Sequence, residues 1–422
     1  MKRASILIVF CLLTWRSIGQ DWSVLPESPT SERFEDIYFT DAQTGWVISK
    51  EGKMYHTTDG GQQWEKVYDE PEYFFRSLEF IDNKTGFAGT LSRALLRTDD
   101  GGQTWTDIID RVPYNIRGVC GLSHVGQNVY GVGVWYTPAF FIKSTDGGET
   151  WSYKDLSDLA GGLVDIHFFD ENVGVASGII ETEGGVILRT TDGGENWTLV
   201  HNTNRGLEYI WKLDFLNDKV GYGSVASYVG NTTIVVKTTD GGKTWTELEV
   251  DDATNGLETQ GLGFATEDLG WTAPKKHGMF ETRDGGKTWT ERDDLANVNR
   301  FFRLSKDLIY ASGSYVYKYG DGEPNAAPDP LPIEESELFE VSPNPFDHEL
   351  KIKIGVEKLT FAKLDLFDLQ GHHLASIYND EFPAGERTFT VDPDLLAQLP
   401  AATYVVLLRT HGGFRKLQVV KQ

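Results

Sequence analysis

Short runs that alternate apolar and polar residues fill most of this chain, each ended by a turn rich in glycine and aspartate. The segment "FEDIYFTDAQTGWVISKEGKMYHTTDGGQQWEKV", residues 34–67, shows the unit. Its alternation predicts four strands: Asp36–Phe39, Trp46–Ser49, Lys53–His56 and Trp64–Val67. Turns at "TDAQTG", at Gly52 and at Thr57–Gly61 separate them. The last turn recurs as S/T-x-D-G-G-x-x-W, with aspartates at Asp59, Asp100, Asp146, Asp192, Asp240 and Asp284. The spacings are 41, 46, 46, 48 and 44 residues. Four short strands at that period are the blade of a β-propeller.

The turn between the first and second strands also recurs, as "DNKTGF", "DENVGV", "NDKVGY" and "TEDLGW", with a looser "HVGQNVYG" in the third repeat. A seventh repeat, Leu304–Gly322, has the middle strands but no closing Asp-Gly-Gly-x-x-Trp strand. The missing strand is supplied by the other end of the chain, where Trp22–Leu25 resembles an outer strand such as "TWTELEV". Pairing the first and last segments would close the ring and remove open sheet edges. The expected fold is all-β: a seven-bladed propeller of four-stranded blades, then a small C-terminal β-sandwich.

The repeated turn is explained as structure. Its Asp can accept hydrogen bonds from the amides of its own turn. Its two glycines allow backbone angles that a Cβ resists. Its Trp starts the outer strand and packs on the blade. On these residues the repeat resembles the Asp-box, or bacterial neuraminidase repeat, of sialidases, xyloglucan hydrolases, sortilin-type receptors and the photosystem II assembly/stability factor family. The full unit, D-x-x-T-G-W before T-T-D-G-G-x-x-W, looks most like the last of these. That resemblance covers Asp21 to Gly320 and implies a protein-binding assembly factor. The box itself specifies blade geometry more than function.

Residues 321–338 are rich in Pro and acidic side chains and read as an extended linker. Beyond it the period stops, and residues 339–422 alternate as the strands of a sandwich. Ser342–Phe346 "SPNPF", Leu366–Gly371 "LFDLQG", Leu399–Tyr404 "LPAATY" and the terminal "KLQVVKQ" resemble the type IX secretion C-terminal sorting domain. Ala402 stands where that family usually has Gly. The resemblance implies type IX secretion machinery as a partner, and delivery to the outer-membrane surface or the medium. The start fits that route. Lys2 and Arg3 precede an apolar run, Ile6–Leu13, too short to span a bilayer, and Ser17 and Gly19 set cleavage before Gln20. The expected organisation is therefore a signal peptide at 1–19, the propeller at 20–320, the linker at 321–338 and the sorting domain at 339–422.

The net charge of −24 argues against nucleic acid and anionic membrane surfaces as partners. No other segment is apolar enough to span a membrane. After cleavage Cys120 is the single cysteine, so an intrachain disulfide is excluded and packing alone must hold the fold. No zinc-protease, phosphate-loop or nucleophile-elbow motif is present, nor calcium-loop spacing. The histidines are scattered, and adjacent His372 and His373 would face opposite ways on a strand. No cofactor, no metal and a monomer are expected.

Aligned repeats put Glu35, Arg76, Arg117, Val164, Trp211, Gln260 and Arg300 at one equivalent position, just before the inner strand. That position lies at the mouth of the channel, on the face opposite the repeated turns. One reading is a solvated rim whose arginines pair with local carboxylates such as Glu35. The other is an anion or carboxylate site, because Arg forks match carboxylates. Tyr73, Phe74, Tyr114, Tyr209 and the long loop carrying Trp135 and Tyr136 add aromatic character to that face. The candidate ligand-binding set is Arg76, Arg117, Trp211, Gln260, Arg300, Trp135 and Tyr136, facing a surface protein or a glycan. The favoured function is a non-enzymatic binding or scaffold protein at the cell surface. The alternative is a glycoside hydrolase of sialidase or xyloglucanase type. It lacks an identifiable Tyr–Glu pair and acid Asp, and a second propeller. A photosystem role taken directly from the resembled family conflicts with the type IX tail.

Overall fold

A computed structural model describes residues 21–320 and 338–422, apart from 32, 117, 134–137, 181–182, 207, 228–231, 252–258, 275–277, 293–294, 296, 357–359, 369–372 and 411–412. Seven four-stranded antiparallel sheets follow one another from Asp21 to Gly320. The first blade runs Phe34–Phe39, Gly45–Ser49, Lys53–Thr57 and Glu65–Asp69, each strand within two residues of its expected limits. Blades two to six fall within 75–107, 121–155, 162–202, 208–251 and 259–292. The repeated Trp does not start the outer strand: Trp64 precedes Glu65–Asp69, because its indole is held back against the turn.

The seventh blade takes three strands from Arg300–Ser305, Leu308–Ser312 and Val316–Gly320. Its outer strand is Asp21–Val24, with Trp22 opposite Tyr319. Trp22 is buried against Trp271 of the sixth blade at 5.1 Å and Phe301 at 5.4 Å, so closing the ring also anchors it to its neighbour. Between blades, an aromatic at the end of one inner strand stacks on the second strand of the preceding blade. Examples are Phe39 on Tyr310 (3.8 Å), Phe80 on Trp46 (3.9 Å), Phe168 on Tyr130 (3.6 Å) and Phe264 on Tyr222 (3.5 Å). Such offset pairs add to the area they bury.

The C-terminal unit is a sandwich of two sheets. One holds Leu338–Ser342, Lys351–Val356 and Gly385–Thr390; the other holds His373–Phe382, Thr360–Asp368, Thr403–Thr410 and Gly413–Val420. Phe346, Leu350, Ile352, Leu364, Leu396 and Val406 fill its core. Motifs far apart in sequence meet here. The Phe346 amide donates to Val420 O at 2.8 Å, and the Val420 amide donates to Asn344 Oδ1 at 2.9 Å. The Lys421 amide reaches Ala402 O at 2.8 Å, and the Tyr404 hydroxyl donates to Pro400 O at 2.7 Å. "SPNPF" therefore straps the final strand in place.

Candidate functional site

The repeated turn is a clamp between blades. In the third blade the Ser144 hydroxyl donates to Asp146 Oδ1 at 2.8 Å and accepts from the Gly148 amide at 2.8 Å. The Asp146 carboxylate also takes the Thr150 amide at 2.9 Å and the Thr150 hydroxyl at 2.6 Å. The same Asp-to-hydroxyl link recurs at Asp59, Asp100, Asp192, Asp240 and Asp284. These bonds hold the carboxyls of Asp100, Asp146, Asp240 and Asp284 down to about 2. Gly147 and Gly148 have φ of 69° and 87°, and a Cβ on Gly148 would lie 2.5 Å from the Phe87 ring of the preceding blade. Preceding blades also donate into the turn: Lys143 to Gly193 O, Arg189 to Gly241 O and Lys237 to Gly285 O. Each turn is tied to the loop between its blade's first two strands, as in Gly147 N to Gln127 O at 3.0 Å. The turns and these loops therefore share one face.

The equivalent positions of the repeats lie near the opposite end of the inner strands. Those among the described residues do not precede the strands. Glu35, Arg76, Val164 and Gln260 sit within them, each where the register shifts by one residue, and Trp211 shares such a shift with Lys212. A bulge inserts one residue and breaks the alternation, so the periodic part of each strand begins after it. The seventh blade differs. Arg300 pairs regularly with Ser312, and the shift falls between Arg303 and Ser305.

These side chains are packed inside the ring. Arg76, Trp211 and Gln260 are buried rather than solvated, whereas Arg300 is partly exposed; the pairing of an arginine with Glu35 is as the rim reading expected. Arg76 pairs with Glu35, and its guanidinium lies 5.1 Å from the Trp211 ring centroid, joining blades two and five. Glu35 also takes Arg33 Nε at 2.7 Å and Asn299 Nδ2 at 2.8 Å, while Arg33 Nη1 donates to Gln260 Oε1 at 3.0 Å. Arg300 bridges Asp165 at 2.9 Å and Asp36 at 3.3 Å. Arg117, Trp135 and Tyr136 lie outside the described residues, as does His372. Of the aromatics expected at the mouth, Tyr114 lies instead at the blade's outer edge: it is 53 % exposed and stacks at 4.2 Å on Tyr153 of the outer strand Ser152–Asp155.

The alternation of the inner strands missed several charged residues of the channel. Lys212 and Asp165 are buried in apolar runs, "IWKLDF" and "LVDIHF". A charge inside such a run was the available signal. Burial, with Arg300 next in effect, lowers the Lys212 ammonium to about 8. Asp165 is held below the carboxylate range by Arg300 and Lys212 against the cost of burial. Deeper along the channel Glu79 meets His124 Nδ1 at 2.7 Å. Burial pushes Glu79 up, and its hydrogen bond to Glu79 raises His124 against desolvation. His167, half-buried and stacked on Phe215, is lowered to about 4 by desolvation. Among the described residues no three His, Cys, Asp or Glu side chains are placed to hold a metal, and no helix is long and apolar enough to cross a membrane.

Residues 16–117 and 70–217 match the model of the Photosynthesis system II assembly factor YCF48 family. Solved structures share the fold. YCF48 from Cyanidioschyzon merolae superposes with a TM-score of 0.57 at 18 % identity, covering 71 % of this chain and 98 % of that one. A structure described as YCF48 bound to D1 peptide gives 0.55 at 20 % identity, over 71 % and 97 %. An ancestral GH74 enzyme gives 0.54 at 10 % identity, over 94 % of this chain and 63 % of the other. No curated protein matches.

Proposed function

We propose that this chain is an exported, non-enzymatic binding or scaffold protein, a YCF48-like propeller that holds a surface protein or glycan at the channel mouth. The observation that carries this reading is the internal pairing of the channel. Arg33, Arg76 and Arg300 are spent on Glu35, Asp36 and Asp165. Charges neutralised within the fold make a rigid platform, whereas hydrolysis needs carboxylates facing a substrate. The YCF48 structure described with a D1 peptide supports a propeller of this fold as a holder of peptides. The C-terminal sandwich, with "SPNPF" strapped to the last strand, is read as the type IX sorting domain, and residues 1–19 as the export signal.

Two experiments test the reading. Deleting residues 339–422 leaves a folded propeller trapped in the periplasm; normal appearance outside the cell refutes the sorting role. Incubating the full chain with fluorogenic sialosides and xyloglucan oligosaccharides yields no turnover. Turnover abolished by Asp165→Asn would instead establish the hydrolase.

A further inference from the structure

Each clamp turn contains an Asp–Gly peptide bond: Asp59–Gly60, Asp100–Gly101, Asp146–Gly147, Asp192–Gly193, Asp240–Gly241 and Asp284–Gly285. In such a pair the glycine nitrogen reaches the aspartate carboxyl easily, because no Cβ obstructs it. The nitrogen attacks Cγ and gives up its proton, the neutral carboxyl loses its hydroxyl as water, and a succinimide ring forms. Water then opens the ring at either carbonyl. It returns aspartate or isoaspartate, whose backbone runs through the side chain. The clamp opposes this reaction at both reacting groups. Every one of these glycine amides is spent on a loop carbonyl, as in Gly60 N to Gln43 O at 2.8 Å and Gly147 N to Gln127 O at 3.0 Å. Every carboxylate takes a Ser or Thr hydroxyl on Oδ1.

The turns differ at Oδ2. In five of them it accepts a second side-chain bond at 2.6 to 2.7 Å, from the hydroxyls of Thr104, Thr150, Thr244 and Thr288 or from Asn196 Nδ2. The first blade has Gln63 at that place, and only its backbone amide reaches Asp59, on Oδ1 at 3.0 Å. Asp59 Oδ2 accepts no hydrogen bond from the described residues.

We propose that Asp59–Gly60 is the bond at which this ring ages first, isomerising through succinimide to isoaspartate ahead of the other five clamps. A carboxylate held at both oxygens cannot turn its carbon toward the glycine nitrogen without giving up charge-assisted bonds, and Asp59 gives up one fewer. The second bond also keeps the carboxyl ionised, and so short of the neutral form that loses water. Asp146 is lowered to about 2 with the Thr150 hydroxyl as the largest cause. The place of the bond sets the consequence. Gly60 O accepts the Tyr310 hydroxyl of the seventh blade at 3.1 Å, and a Cβ on Gly61 would lie 2.5 Å from Leu25, just beyond the closing strand. An extra backbone carbon at residue 59 therefore loosens the ring at its seam. This goes beyond the proposed binding role, because it holds whatever the propeller carries.

The test is ageing of the full chain in mildly acidic buffer, then peptide mapping that separates isoaspartyl from aspartyl peptides. Heavy-oxygen water marks the route, since each succinimide opening adds one solvent oxygen even where aspartate returns. The further Asp–Gly at 321–322 lies outside the described residues. In the folded chain, isoaspartate at residue 59 should accumulate about tenfold faster than at the other five clamps, the factor of one hydrogen bond to a charged group. In urea, with the clamps gone, the six should differ little. Gln63→Thr should slow residue 59 to the rate of the others, and Thr150→Val should speed residue 146 toward that of residue 59. Equal rates at the six clamps of the folded chain, or a rate at residue 59 that Gln63→Thr leaves unchanged, overturn the proposal.

Discussion

Arg300 of the seventh blade donates to Asp165 of the fourth at 2.9 Å, so one ion pair crosses the ring. Asp165 also accepts the Leu213 amide of the fifth blade at 2.8 Å, and thus ties three blades together. Arg300 keeps Asp36 at 3.3 Å when Asp165 is lost, so Asp165→Asn should cost about 1.5–3 kcal/mol in urea unfolding, the worth of a hydrogen bond to a charged group. The double variant with Arg300→Met should recover part of that loss. If Arg300→Met alone costs nothing, Asp165 acts through the Leu213 amide and not through the cross-ring pair.

The clamp turns make stability depend on acid. Asp100, Asp146, Asp240 and Asp284 are depressed to about 2 when folded, against about 4 for a free side chain. A depressed carboxyl contributes stability that is complete above its unfolded value and lost as pH falls through the folded one. Melting temperature should therefore drop between about pH 4 and pH 2. Asp146→Asn should flatten its share of that slope and lower stability by about 1 kcal/mol at neutral pH. An unchanged melting profile would remove the turn from the forces that hold the ring.

The Glu79–His124 pair works in the opposite sense. Both groups are raised in the folded state, so their contribution is present at low pH. It is lost as pH rises, for His124 through and beyond its unfolded value of about 6.5. Stability should decline as pH rises past about 6.5, by an amount that His124→Phe abolishes. Proton NMR of the imidazole should give a titration midpoint above that of a free histidine; a midpoint below it would contradict the pairing.

Ring closure rests on one short strand. Trp22→Ala removes the indole that packs on Trp271 and Phe301, and should cost about 3–5 kcal/mol. Limited proteolysis should then cut first near residue 25 or between 300 and 320. Cleavage elsewhere with an intact seventh blade would show that Trp22 is not the latch.

The blades were legible because each is written in the same turn chemistry. Gly147 and Gly148 need left-handed angles, and Asp146 needs the amide of Thr150, so the sequence cannot vary there without breaking the clamp. The closing strand was legible as the piece the seventh repeat lacked. The channel was less so. Its equivalent position was found by alignment, but the bulge at Glu35 and Arg76 hid that these residues lie within strands. That Arg300 would reach Asp165 depends on the two blades facing each other across a closed ring, which no local pattern records.

The central claim is that a partner is held at the channel mouth. A photo-crosslinking residue at the partly exposed Leu91, packed beside Tyr209 and Trp211, tests it directly. The same residue at exposed Lys243, in a clamp turn on the other face, is the control. Illumination of cells secreting the full chain should give one defined adduct from position 91 and none from position 243. Adducts from position 243 alone, or the same adducts from both, would contradict the account.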